Sequence, residues 1–138
     1  MEERKLSDLY PHQILLVEDN IKNQKVAKRT FEKLGYSCDI VENGLQALDL
    51  IDSKSVGHYS IVFMDIQMPV MDGIAASKDL LVTYGSSRPR VVAMTANVFK
   101  EDKKKCREAG MEYFLSKPVD IKQLEDVLVK FYSRQNVA

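Results

Sequence analysis

Five residues stand at the ends of short apolar runs in this chain, and their types belong together chemically. Glu18 and Asp19 follow Ile14 to Val17, Asp65 follows Ile61 to Met64, Thr95 follows Val91 to Met94, and Lys117 comes just after Tyr113 to Leu115. If those runs lie side by side, three carboxylates, one hydroxyl and one ammonium converge. Two unit charges ~4 Å apart repel by about 4 kcal/mol at an effective dielectric of 20, so such carboxylates need a counter-charge. Hard oxygens in a sparse protein ligand set suit Mg2+, which keeps several waters in an octahedral shell, and no nearby His or Cys favours a softer metal. A divalent ion beside an aspartate, a lysine and a threonine outlines a phosphoryl-transfer site, because that chemistry needs positioning and neutralisation of oxygen charge above all. Asp65 is then the nucleophile, its carboxylate oxygen attacking phosphorus to give an acyl phosphate. Lys117 pairs with phosphoryl oxygens, Thr95 donates its hydroxyl to one, and Asp19 with Asp65 holds the metal. Singly, each has a plainer reading: Asp65 as a loop cap, Thr95 as a β-former, Lys117 as a solvated charge. Their recurrence at successive strand ends favours the site.

Positioning these groups falls to a repeated strand and helix pattern. After Ile14 to Val17, Asn20 is a candidate N-cap, Ala27, Thr30, Phe31 and Leu34 keep helical spacing, and Gly35 is a C-terminal stop. Cys38 to Val41 leads to Asn43-Gly44, a pair that alone suggests a hairpin, but Leu45, Leu48 and Ile51 then keep helical spacing, which makes it a βα loop. Ile61 to Met64 leads through Pro69 and Asp72-Gly73 to a helix from Ile74 to about Tyr84. Val91 to Met94 precedes a charged helix from about Lys100 to Ala109, stopped by Gly110. Tyr113 to Leu115 is a last strand before Lys117-Pro118. Asp120 and Gln123 have capping-box spacing, and Leu124, Val127, Leu128 and Phe131 form the buried stripe of the final helix. Strands buried on both faces read as continuous apolar runs, so the fold class is α/β, a doubly wound five-stranded parallel sheet with five helices in a single domain. Right-handed crossovers fit the flavodoxin-like order 2-1-3-4-5, in which ligands sit beyond the carboxyl ends of strands 1 and 3.

Composition narrows the class further. The 138 residues carry 20 Lys+Arg against 20 Asp+Glu with 45% hydrophobic residues, as expected of one globular core with no electrostatic pull toward nucleic acid or anionic lipid. Lys103 to Lys105 is the one basic candidate patch, and the acidic residues around it mark a solvated helix face. No apolar run approaches the ~20 residues a membrane span needs. Met1 to Lys5 lead into no apolar segment, so no secretory signal is visible and a cytoplasmic location is expected. Cys38 and Cys106 have no metal or disulfide spacing and read as small core residues, while His12 and His58 read as ordinary surface residues. The expected boundaries are an extension or linker over 1–12, the domain over 13–134 and a tail over 135–138.

The runs Ile14-Leu15-Leu16-Val17-Glu18-Asp19-Asn20, Phe63-Met64-Asp65-Ile66-Gln67-Met68-Pro69-Val70-Met71-Asp72-Gly73, Met94-Thr95-Ala96 and Leu115-Ser116-Lys117-Pro118 resemble the receiver domain of two-component response regulators. Asn20-x-x-Asn23-Gln24-x-Val26-Ala27 and the wording after Asp65 look most like receivers of hybrid histidine kinases, and the resemblance runs from about Gln13 to Tyr132. It implies Asp65 as phosphoacceptor, Asp19, Asp65 and the carbonyl of Gln67 as Mg2+ ligands with Glu18 acting through water, and Mn2+ as a possible substitute. It also implies a cis bond before Pro118, Thr95 as switch hydroxyl and Phe114 as switch aromatic. Gln67 and Asn97 match positions that influence acyl-phosphate lifetime. Glu18 stands where aspartate is frequent, which lengthens the side chain by a methylene, and Phe114 lacks a tyrosyl hydroxyl, so any switching signal there comes from ring packing.

The expectation is therefore a phosphorelay signalling module that catalyses its own phosphorylation and dephosphorylation. It takes the phosphoryl group from a histidine kinase core or a histidine-phosphotransfer protein, which docks around Ile21, Gln24 and Val26. With no output domain after Arg134, the chain reads as a stand-alone response regulator or, preferably, as a piece of a hybrid kinase whose parent can itself be membrane-anchored. An aspartyl-phosphate phosphohydrolase generally needs a second acid two residues after the nucleophile, where Gln67 stands. A flavodoxin needs a hydroxyl- and glycine-rich loop where Glu18-Asp19 would repel the flavin phosphate. A pseudo-receiver would lack part of the acidic set.

Overall fold

A computed structural model describes residues 5–96 and 103–135. The strands are β1 (Ile14–Val17), β2 (Cys38–Val41), β3 (Ile61–Asp65), β4 (Arg90–Thr95) and β5 (Met111–Ser116). The helices are α1 (Leu6–Leu9), α2 (Ile21–Lys33), α3 (Gly44–Ser53), α4 (Gly73–Tyr84), α5 (Lys103–Glu108) and α6 (Ile121–Gln135), with a 3-10 turn at Gly85–Ser87. All pairings are parallel, as the continuous apolar runs lead one to expect, and the order is β2-β1-β3-β4-β5, that of the flavodoxin-like fold. Among the described residues, no helix is long and apolar enough to cross a membrane.

Because side chains alternate across each strand, the sheet has two separately packed faces. Ile14, Leu16, Phe63, Val92 and Leu115 meet α2 and α6 through Phe31, Leu124, Val127, Leu128 and Phe131. Leu15, Val17, Val62, Met64, Val91 and Ala93 meet α3, α4 and α5 through Ala47, Leu48, Ile51, Ala76, Leu80 and Cys106. Each fully buried large side chain contributes roughly 1.5–3 kcal/mol, so this double layer holds the strand tips in register.

Helix starts follow their cap chemistry. Asn20, Asn43 and Asp72 are the N-caps of α2, α3 and α4, their side chains accepting from the N–H groups of Asn23, Gln46 and Ala75. Gly35, beyond α2, adopts φ +93°, and a Cβ there would lie 2.1 Å from Ser7 Oγ, so a glycine is needed both for its backbone and for the approach of the leading segment. Asp120 Oδ1 accepts from Lys122 N at 2.8 Å at the start of α6.

Several expectations need correction. The stripe of α3 is Ala47, Leu48 and Ile51, while Leu45 is 45% exposed, because α3 turns its small residues toward the sheet and α4. β5 begins at Met111, two residues earlier than expected. Residues 5–12 carry the one-turn helix α1 and contact the domain: Ser7 N donates to Leu34 O at 3.1 Å and the Tyr36 hydroxyl to Tyr10 O at 2.5 Å. His12 is no surface residue; it is half-buried, with Nε2 2.7 Å from Leu128 O and Nδ1 2.8 Å from Ser60 Oγ. Since the carbonyl can only accept, Nε2 carries the proton and neutral His12 accepts from Ser60 at Nδ1. His58 is half-buried against the edge of the Tyr59 ring. Cys106 is buried and Cys38 half-buried, and neither is in a disulfide. Asn97, the start of the charged helix near Lys100, residues 1–4 and residues 136–138 lie outside the described residues.

Candidate functional site

The strand ladder delivers the five chemical residues to one end of the sheet. β1 pairs with β3 through Val17 and Met64, and β3 with β4 through Asp65 and Met94. Main-chain bonds continue one residue past the strands: Glu18 N to Val41 O at 3.0 Å, Ile66 N to Met94 O at 3.1 Å and Lys117 N to Thr95 O at 2.9 Å. Glu18, Asp65, Thr95 and Lys117 are therefore set by backbone pairing before any side-chain contact is made.

Among the described residues, Glu18, Asp65, Thr95 and Ser77 are the buried polar or charged ones, so three of these four lie at the strand tips. The uncharged exception, Ser77, donates to Ala109 O at 2.7 Å and ties α4 to the end of α5. Buried carboxylates need partners, and Lys117 supplies one to both: its Nζ lies 2.8 Å from Asp65 Oδ2 and 3.0 Å from Glu18 Oε1. Burial works against the charge on Lys117, but bonds to Asp65 and then Glu18 outweigh it and raise its pKa above the ordinary value.

Asp19 is exposed at the rim, and one carboxylate oxygen from each of Glu18, Asp19 and Asp65 lies within 4.8 Å of the others. Desolvation, then the contact with Glu18, push the Asp19 carboxyl above its usual value, while its own backbone N–H and Lys117 oppose the rise. Three carboxylates face one ammonium here, and this uneven charge with hard oxygen donors fits a small divalent cation.

The loop between β3 and α4 is held tightly beneath the tips. Gln67 N donates to Asp65 Oδ1 at 3.2 Å and Gly73 N to Ile66 O at 2.9 Å. A Cβ on Gly73 would lie 2.2 Å from Asp65 O, so only glycine lets α4 start this close to the Asp65 backbone. Val70 has φ +68°, the one non-glycine in that region among the described residues, within a γ-turn closed by Met71 N to Pro69 O at 2.7 Å. Met71 O in turn accepts from Gly44 N at 3.1 Å, which fastens the strained turn to α3.

The remaining residues singled out in the sequence surround this centre. Gln24 sends Nε2 to Glu18 O at 2.7 Å, an inward contact that the sequence did not reveal, while its neighbours Ile21 and Val26 are 63% and 43% exposed. Phe114 is half-buried against the α3, α4 and α5 layer, with Lys103 Nζ 5.9 Å from its ring centre. The Lys117-Pro118 bond is cis. Asn20 N reaches Glu18 Oε2 at 3.3 Å, a second support that its reading as a cap did not anticipate.

Residues 14–129 match the family described as the response regulator receiver domain. The chain is 41% identical over 134 residues to Histidine protein kinase 1 of Candida albicans, covering 91% of this chain and 5% of that protein. It is 40% identical over 124 residues to the aerobic respiration control sensor protein ArcB of Escherichia coli, covering 89% of this chain and 15% of that one. This chain thus spans only a small part of such relatives. Among solved structures, it resembles the receiver domain of sensor histidine kinase PA1611 from Pseudomonas aeruginosa, which has a magnesium ion coordinated in its active-site cleft. There the TM-score is 0.78 at 33% identity, covering 88% of this chain and 98% of that one. It also resembles the Saccharomyces cerevisiae co-crystal of the histidine phosphotransfer protein Ypd1 with the receiver domain of Ssk1, with TM-score 0.77 at 27% identity, covering 91% and 92%.

Proposed function

The chain belongs to the response regulator receiver domain family, and from that premise we propose that it accepts a phosphoryl group from a phosphohistidine onto Asp65. The observation that carries the proposal is the Asp65 carboxylate itself, 4% exposed and held 2.8 Å from the Lys117 ammonium at the end of β3. An Asp65 oxygen forms the new O–P bond as the P–N bond to the donor imidazole breaks, and that bond's electron pair leaves on the imidazole nitrogen. Lys117 meets the charge on the phosphoryl oxygens, and Thr95, on the neighbouring strand, donates to one of them. Asp19, Asp65 and the Gln67 carbonyl would hold Mg2+, with Glu18 acting through water; Mn2+ suits the same oxygens. Bound there, the ion supplies neutralisation of phosphoryl charge.

The added charge then draws Thr95 inward, and Phe114 follows and alters the face around β4, α5 and β5. Gln67, whose backbone N–H donates to Asp65 Oδ1, stands at a position that influences the lifetime of the acyl phosphate. Likeness to hybrid kinases supports a parent of that kind and a cytoplasmic placement of this domain. The exposed Ile21 and Val26, on either side of Gln24, support docking of a kinase core or histidine-phosphotransfer protein along α2.

The test is transfer from a phosphorylated histidine-phosphotransfer protein, with and without Mg2+. Wild type takes the label when Mg2+ is present, and Asp65→Asn takes none. Label persisting on Asp65→Asn, or equal transfer in a chelator, refutes the assignment.

A further inference from the structure

We propose that residues 5–12 clamp α2, closing its C-terminal end against α6 and so steadying the helix whose exposed Ile21 and Val26 face a phosphoryl donor. The bearing on the donor rests on the phosphoryl-transfer reading above; the clamp itself does not. α2 is thinly anchored. Of its thirteen residues it buries two, Ala27 and Phe31, where α3 buries four of ten and α4 four of twelve. Its start is pinned beside β1 by Gln24 Nε2, which donates to Glu18 O at 2.7 Å. A helix with so narrow a buried face depends on what holds its ends.

The last turn of a helix leaves carbonyls without partners inside the helix. Phe31 O and Glu32 O accept from the turn that follows, through Tyr36 N and Gly35 N at 3.0 Å each, but Leu34 O accepts from Ser7 N at 3.1 Å, in the leading segment. Leu6 is half-buried against the apolar cluster that includes Phe31 of α2, Leu34 at its C-cap, and Leu128 and Phe131 of α6. Further ties complete the clamp. The Tyr36 hydroxyl, just past α2, donates to Tyr10 O at 2.5 Å, the Tyr10 ring meets that of Tyr132 edge-on at 5.4 Å, and His12 Nε2 donates to Leu128 O at 2.7 Å. One helical turn does not hold itself in water, so α1 is formed by these contacts, and its release frees the end of α2 with it.

The experiment uses the full chain. Leu6→Ser removes the apolar contact, and Tyr36→Phe removes the donor to Tyr10 O while keeping the buried ring. Leu6→Met conserves volume, and Leu9→Ser is the control at a residue of the same helix that is 50% exposed. Amide hydrogen exchange is read residue by residue, and phosphorylation rates are read, with Mg2+, against a phosphorylated histidine-phosphotransfer protein at varied concentration and against acetyl phosphate. Protection in the second half of α2 falls about tenfold or more in Leu6→Ser and about threefold or more in Tyr36→Phe, while α3 and α4 stay within about twofold of wild type. In Leu6→Ser the donor-protein concentration giving half the maximal rate rises about threefold or more, and the rate from acetyl phosphate stays within about twofold. Leu6→Met and Leu9→Ser behave as wild type. Unchanged protection of α2 in both Leu6→Ser and Tyr36→Phe, or a loss shared equally by α3 and α4, overturns the clamp. A loosened α2 with unchanged dependence on the donor protein overturns its bearing on the donor. If wild type takes no phosphoryl group from either donor, the receiver reading falls, and the exchange data still decide whether residues 5–12 hold α2.

Discussion

Replacing Gly73 by alanine tests whether the start of α4 and the end of β3 share one crowded contact. The new Cβ would sit 2.2 Å from Asp65 O and 3.1 Å from both Asp65 C and Ile66 Cα, all backbone atoms with no rotamer to yield. Carbon atoms pack at about 3.5–4.0 Å, so α4 or the tip of β3 must move by roughly 1 Å or more. Such overpacking costs about 1–3 kcal/mol, and losing the 2.9 Å bond from Gly73 N to Ile66 O costs about 1 kcal/mol more. Alanine regains about 1 kcal/mol over glycine in a helix, which leaves a net loss of about 1–3 kcal/mol. Urea denaturation should show this as a lower midpoint with unchanged slope, and phosphorylation by acetyl phosphate should slow because Asp65 is displaced. Gly57→Ala is the contrast. Nothing lies within 4 Å of its Cβ, so at φ +86° it loses only about 1–2 kcal/mol of backbone energy, and phosphorylation should be unaffected. If Gly73→Ala stays within about 0.5 kcal/mol of wild type and keeps its rate, the crowding argument is wrong.

Other expectations follow from burial and linkage. Phe31→Ala removes a ring that is 1% exposed and stacked edge-on to Phe63 at 5.1 Å, and should lower unfolding free energy by about 3–5 kcal/mol in chemical denaturation. Asn20→Ala removes the α2 cap and should lower the urea-derived unfolding free energy by about 1 kcal/mol. Burial depresses the pKa of His12 below its ordinary 6.5, against the opposing Leu128 carbonyl. Its contribution is therefore fully present above pH 6.5 and is lost as pH falls toward the folded-state value, and denaturation curves of His12→Gln should lack that part of the decline. Mg2+ at a hundred times its dissociation constant should raise unfolding free energy by about 2.7 kcal/mol, and a melting temperature indifferent to both Mg2+ and chelator would count against the cation site.

The tips of the strands were legible because a parallel strand buried on both faces leaves an unbroken apolar run, and the first polar residue after it marks the edge of the core. Glu18, Asp65 and Thr95 announce themselves in that way. Lys117 needed the short strand ahead of it, whose start at Met111 was hidden because Glu112, in its midst, is a charged residue paired with Arg90 at 2.9 Å. In α3 the spacing of Leu45, Leu48 and Ile51 drew the stripe to the larger side chains. The helix instead faces inward with Ala47, whose small size suits close packing against the sheet. His12 was unreadable for a different reason. Its partners are a serine 48 positions away and a backbone carbonyl 116 positions away, and neither separation leaves a trace in local pattern. The inward turn of Gln24 was hidden likewise, since its acceptor is the Glu18 main chain and not any side chain.

The adjacency of β1 and β3 gives the acidic cluster a fixed gauge. Neighbouring strands lie about 4.8 Å apart, and that spacing is set by ladder bonds along their length, not by the carboxylates at their ends. Widening the cleft for an ion of larger radius would mean prying two central strands apart. Calcium, with six to eight oxygens at about 2.3–2.6 Å, asks for that dilation, whereas magnesium at about 2.0–2.1 Å does not. Discrimination by size would then reside in the hydrogen-bonded middle of the sheet, and substitutions well away from the acids that loosen β1 against β3 should blunt it.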